Sequence, residues 1–197
     1  MTTLKKCGFL CYLKERRVYI INCNSFRKGV DNMEYLDLYD ANGNLIGEKV
    51  LRTKGMKPEN GKYIKIVIVF IKNDENKFLI QKTSKEKGSV WATTGGLVSS
   101  GYTSDETVVK EIEEELGLIV DFKELKHIET IKREHAFQDT YYLEKNINIE
   151  DLKIQEEEVE FVKWLSIDEI KELINKGEFR EGNILAFENL LEKENIN

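Results

Sequence analysis

The sequence predicts an α/β fold in which a mixed sheet is sandwiched between helices and preceded by β-hairpin segments. Three observations predict it. Short apolar runs bounded by turn residues recur along the chain, one amphipathic helix interrupts them between Thr103 and Gly117, and two more helical segments follow near the C-terminus. At 197 residues, 41% hydrophobic and 34% charged, the chain can bury one substantial core with an appendage.

Taken in order, residues 1–32 form an N-terminal extension, in which residues 10–13 and 18–23 pair as a short hairpin across the charged turn Lys14-Glu15-Arg16-Arg17. All three cysteines, Cys7, Cys11 and Cys23, lie here. An odd number cannot form a complete disulfide set, so they read as reduced structural thiols. Residues 33–61 hold a second hairpin and a linker. Its strands, 35–39 and 45–51, flank Asn42-Gly43, a dipeptide that accepts the positive φ of a tight turn. The linker of residues 55–61 carries the only proline, Pro58, which makes it a boundary.

Residues 62–197 make the main domain. Residues 64–71 and 78–81 read as strands around the polar turn Asn73-Asp74-Glu75-Asn76, and residues 122–132 and 138–143 as two more. Asp105 and Glu106 suit the positive end of a helix that starts at Thr103 or Ser104, and Gly117 suits its C-terminal stop. Val108, Val109, Ile112 and Leu116 give that helix a core-facing stripe. Ser166-x-x-Glu169 is a capping box for a helix ending near Gly177, and residues 184–194 carry the apolar spacing of a final helix.

Composition narrows the function classes. A net charge of -6 argues against general nucleic-acid or anionic-membrane binding, which requires a basic face. The longest apolar run, residues 66–71, is far short of the roughly 20 residues that span a bilayer. Lys14, Glu15, Arg16 and Arg17 end the first apolar stretch too early for a secretory signal, so a cytoplasmic location is expected.

The chemistry concentrates between Gly95 and Leu118. Positions three and four apart are neighbours on a helix, so Glu111, Glu114 and Glu115 share one surface and repel one another, while Glu113 points elsewhere. Converging carboxylates suit a hard divalent cation such as Mg²⁺, which takes oxygen ligands and retains waters for substrate phosphates. Gly95-Gly96, just upstream, lets the backbone come close to whatever is bound.

These residues resemble the Nudix box, G-x5-E-x7-R-E-(apolar)-x-E-E-x-G-(apolar), from Gly96 to Leu118. Tyr102 stands where the box has its first Glu and Lys110 where it has Arg; the Glu-x-x-Glu-Glu-x-Gly core is intact. Trp91 ahead of the glycines and the segment from Glu158 through Trp164 to Glu169 extend the likeness. The resemblance implies a Nudix-type α/β/α sandwich and a hydrolase of nucleoside diphosphates linked to another group: a nucleotide sugar, dinucleotide, ADP-ribose or NTP-like small molecule. It implies Mg²⁺ or Mn²⁺ held by Glu111, Glu114, Glu115 and the Gly95 carbonyl, with Glu111 and Glu114 also assigned to catalysis. Glu158, chosen by its offset from Trp164, is the expected general base.

A catalytically weakened Nudix-fold nucleotide-binding or regulatory module is the alternative, motivated by Tyr102 and Lys110. An isopentenyl-diphosphate isomerase is disfavoured, since Ile64 follows Gly61-Lys62-Tyr63 where such relatives often have His, and no cysteine lies beyond Cys23. His127 and His135 read as surface or packed residues, and Tyr63, Phe137, Tyr141 and Tyr142 as strand core. A homodimer is a candidate assembly.

Overall fold

The structure, a computed structural model, describes residues 9–14, 17–22 and 33–196. Cys7, Cys23, the side chain of Cys11 and the turn residues Glu15 and Arg16 lie outside what is described. The chain divides into two units, residues 1–33 and 34–197. In the first, β1 (Phe9–Lys14) pairs antiparallel with β2 (Arg17–Asn22), from Phe9 opposite Asn22 to Lys14 opposite Arg17.

The second unit begins with a hairpin of β3 (Tyr35–Tyr39) and β4 (Leu45–Leu51). Its turn is wider than the expected Asn-Gly turn. The Asp40 carboxylate accepts from the backbone N–H of Asn42 and Asn44, and positive φ falls on Gly43 alone. Leu36 and Leu38 face inward and are buried with Ile64 and Ala136, so the hairpin shares a small core with the sheet.

That sheet is mixed and seven-stranded. It contains β5 (Ile64–Lys72), β6 (Phe78–Thr83), β7 (Trp91–Ala92), β8 (Thr94–Leu97), β9 (Lys126–Lys132), β10 (Ala136–Glu144) and β11 (Val159–Leu165). The main path runs β11-β6-β5-β10-β9, with β7 on β6 and β8 on β5. Central β5 pairs parallel with β10 and antiparallel with β8. Burial on both faces accounts for its apolar run at residues 66–71.

Helices cover both faces. Val67, Val69 and Ile71 of β5 pack with Val108, Ile112 and Leu116 of α1 (Ser104–Leu116). The alternate residues Ile68 and Phe70 pack with Ile170 of α2 (Ile167–Asn175) and with Ala186, Phe187 and Leu190 of α3 (Glu181–Lys193). The result is an α/β/α sandwich. One expected strand is shorter than its sequence pattern: residues 122–124 form a 3₁₀ turn instead. There Asp121 accepts from the Lys123 N–H and Glu124 reaches back to the Asp121 N–H, a capping box that ends the extended run.

Both ends of α1 are fixed by local chemistry. Thr103 and Glu106 form a reciprocal capping box at the start, and Gly117 closes the end with φ +65° and its N–H on the Glu113 carbonyl. A Cβ at Gly117 would also lie 2.6 Å from Lys153 Cβ, whereas one at Gly177, φ +68°, would meet nothing within 4 Å. Alanine at Gly177 therefore carries only the left-handed backbone penalty, about 1–2 kcal/mol. Alanine at Gly117 adds a packing clash, about 1–3 kcal/mol more. Urea unfolding of the two variants checks this ordering; equal losses would contradict it.

Candidate active site

A cleft of about 480 Å³ opens beside α1, lined by Gly95, Gly96, Glu111, Glu114, Glu115 and Glu158 among others. Its floor is set by backbone pairing. Gly95 and Gly96 lie opposite Ile68 and Val67 on β5, and a side chain on either would collide: at Gly95 with the Val67 carbonyl, at Gly96 with the Glu111 carboxylate. The missing side chain of Gly96 is therefore the space that Glu111 occupies, and that of Gly95 lets the two strands pair closely.

Glu115 is 5% exposed, and its Oε2 accepts from Gln81 Nε2 at 3.1 Å and from the Gly95 N–H at 3.4 Å. Gln81 Oε1 accepts in turn from the Thr94 hydroxyl, which fixes the amide's orientation. Burial, then the charge of Glu111, push the Glu115 carboxyl up to about 8, against the pull of Gln81 and the Gly95 N–H. Burial likewise pushes Glu111 up to about 7, although the charges of Lys110 and Arg52 oppose it. Two desolvated, mutually repelling carboxylates over a glycine cradle fit a divalent cation, which would favour their ionised forms.

Glu114 is more exposed and pairs with Lys110 at 2.9 Å, one helical turn earlier. Glu158 pairs with Lys87 at 2.7 Å, and its backbone carbonyl accepts from the Ser84 N–H. Neither Glu156 nor Glu157 joins the cleft lining; both line a separate surface depression with Ser84 and Lys85. As the side chains stand, each carboxylate keeps a donor or space of its own. Among the described residues no three His, Cys, Asp or Glu side chains are yet gathered as ligands.

The two departures from the box sit differently. Tyr102 is 48% exposed on the loop before α1, and Lys110 keeps a cation on the cleft wall. His127 lies near Asp139 and against Tyr141, while His135 lies near Glu134; neither lines the cleft. Phe137, Tyr141 and Tyr142 are buried strand residues, and Tyr63 packs on Phe137.

Gln81, Arg52 and Glu34 line or brace the cleft without having been singled out in the sequence. For Arg52 the sequence signal was partial. Pairing of Tyr35 with Leu51 makes Glu34 and Arg52 the next cross-strand neighbours, but the expected two-residue turn would have set Glu34 opposite Leu51, and only the register shift between Asp37 and Tyr39 brings in Arg52. Gln81 offered none, because a single buried amide carries no motif.

The NUDIX domain family model matches residues 62–186. The chain is 30% identical over 151 residues to the uncharacterized Nudix hydrolase lmo0368 of Listeria monocytogenes, covering 75% of this chain and 88% of that protein. In fold it is similar to DR0079 from Deinococcus radiodurans, with a TM-score of 0.66 at 21% identity over 78% of this chain and 96% of that one. It is also similar to a bifunctional NMN adenylyltransferase/ADP ribose pyrophosphatase from Francisella tularensis, solved with AMP and Mn ion. There the TM-score is 0.52 at 15% identity, over 71% of this chain and 43% of that one.

The raised carboxyls make a pH prediction for chelator-treated protein. Unfolded, both glutamates ionise near 4.5; folded, near 7 and 8. Between those values the native state holds more protons than the unfolded state, so stability falls as pH rises from about 4.5 through about 8 and then levels. Glu115→Gln should flatten that slope and raise stability at pH 8. Denaturation in EDTA at several pH values measures it; an unchanged slope would refute the assignment.

Proposed function

The chain belongs to the Nudix hydrolase family, and from that premise we propose that it cleaves a diphosphate linkage in a nucleoside diphosphate derivative with Mg²⁺ or Mn²⁺. The observation that carries this reading is the pair of upshifted carboxylates, half-buried Glu111 and buried Glu115, against Gly95-Gly96. Buried acids without compensation destabilise a fold, so their presence at one cleft calls for a cationic ligand. Glu111, Glu114, Glu115 and the Gly95 carbonyl would hold it. When bound, a divalent ion neutralises phosphate oxygens and acidifies water.

The remaining work belongs to the chain. Glu111 and Glu115 are oriented before substrate arrives, the one by the glycine cradle and the other by Gln81 and the Gly95 N–H. Glu158 accepts the proton of the attacking water on a carboxylate oxygen. Its pairing with Lys87 holds it on the lip of the cleft, just before β11. As a metal ligand Glu114 would part from Lys110, whose ammonium would then be able to face phosphate.

Phosphate release from nucleotide sugars, dinucleotides, ADP-ribose and NTPs, with and without Mg²⁺ or Mn²⁺, tests the reading. Metal-dependent turnover of at least one class is expected. Glu115→Gln should lower that turnover by roughly 100-fold or more while the protein stays folded. No turnover with any class, or an undiminished variant, would overturn it.

Among the three consecutive acids, Glu158→Gln should lower kcat by roughly 100-fold with Mn²⁺ affinity unchanged. Glu156→Gln and Glu157→Gln should stay close to wild type. A wild-type rate for Glu158→Gln would reject it as the base.

A further inference from the structure

We propose that Arg52, carried by the hairpin outside the matched Nudix region, is a phosphate-binding residue of the cleft, and that Glu34 and Ser99 hold its guanidinium in place. This rests on the hydrolase reading above and names a further contact for its diphosphate. Arg52 and Glu34 both line the cleft that Glu111 and Glu115 line. Arg52 Nη1 donates to Glu34 Oε2 at 2.6 Å, and the Arg52 N–H donates to the Glu34 carbonyl at 2.7 Å. The other Glu34 carboxylate oxygen accepts from the Ser99 hydroxyl.

A guanidinium carries five N–H donors in a fixed fork. Among the described residues this one makes a single side-chain hydrogen bond, to Glu34, and its remaining donors are free for an anion. Of the other cations on the lining, Lys87 is paired with Glu158 and Lys110 with Glu114, while the exposed Arg180 has no side-chain partner among the described residues to hold it in place. Arg52 is the guanidinium of the lining that is already anchored, by Glu34, in the cleft that Glu111 also lines. Planar donors suit two oxygens of one phosphate, which a lysine ammonium does not match in geometry.

The bland reading is a surface ion pair. Arg52 and Glu34 side chains are 36% and 37% exposed, and an exposed pair contributes little to stability. Stability therefore does not explain the construction around it. The hairpin also grips the loop that follows Gly96: Leu36 bridges Ser99, the Ser100 N–H donates to the Tyr35 carbonyl, and Asp37 accepts from the Ser100 hydroxyl and the Gly101 N–H. Arg52 and the loop leading to the glutamates are held by one clamp. A cation built in register with the metal-site helix is a binding device, whereas a solubilising charge needs no register.

The test uses the full chain, calorimetric titration with inorganic diphosphate in Mg²⁺, and steady-state kinetics on the best substrate. Arg52→Ala should weaken diphosphate binding and raise KM by roughly tenfold or more, the scale of one charge-assisted hydrogen-bond pair. Arg52→Lys should recover only part of that loss, and Mn²⁺ affinity should remain within twofold. Glu34→Gln should raise KM more than it lowers kcat, because it loosens the guanidinium without removing it. Melting temperatures check folding, and Arg52→Lys keeps the test open if the alanine variant is unstable. A folded Arg52→Ala protein with wild-type diphosphate affinity and KM would overturn this inference while leaving the hydrolase reading standing. Absence of metal-dependent turnover and of diphosphate binding in the wild type would overturn both.

Discussion

Two carboxylates, one half-buried and one buried, set against two adjacent glycines constrain the rest of this structure. Glu111 needs the volume that a Cβ on Gly96 would fill, and Glu115 needs the donors of Gln81 and Gly95. Those requirements fix α1 on the sheet both in height and in rotation. The apolar stripe of Val108, Ile112 and Leu116 supplies the driving force that holds it there. A helix rotated by one residue would put Glu114 or Leu116 in the place of Glu115 and would lose both the stripe and the hydrogen bonds.

The hairpin of β3 and β4 belongs to the same mechanism of placement. Its Glu34, Asp37 and Leu36 engage residues 99–101, the link between the glycine strand and the capping box of α1. The loop is thereby braced from outside the segment that carries the family motif. This brace gives the otherwise exposed strand β4 a role, since its end delivers Arg52 to the cleft.

Much of this was legible in the sequence, for identifiable reasons. The helix from Ser104 to Leu116 was readable because caps, stripe and terminal glycine all agree locally. The strands β5, an apolar run, and β10 were readable as strands, but their parallel pairing was not, because it depends on residues some seventy positions apart. The short strands β7 and β8 escaped assignment. Their sequence, Trp91-Ala92-Thr93-Thr94-Gly95-Gly96, has neither alternation nor β-branched bulk at the glycines, and it is pairing with β5 and β6 that makes it extended. The carboxylate face was legible from helical spacing. That Glu115 is the deeply buried member and Glu114 the exposed one was not, because depth is decided by Gln81 and the sheet and not by the helix.

Anomalous scattering from crystals of the full chain grown with Mn²⁺ tests the central claim most directly. The account predicts a strong peak at coordination distance from the Glu111 and Glu115 carboxylates, with Glu114 swung away from Lys110 to join them. A peak elsewhere, or none at saturating Mn²⁺, would contradict it.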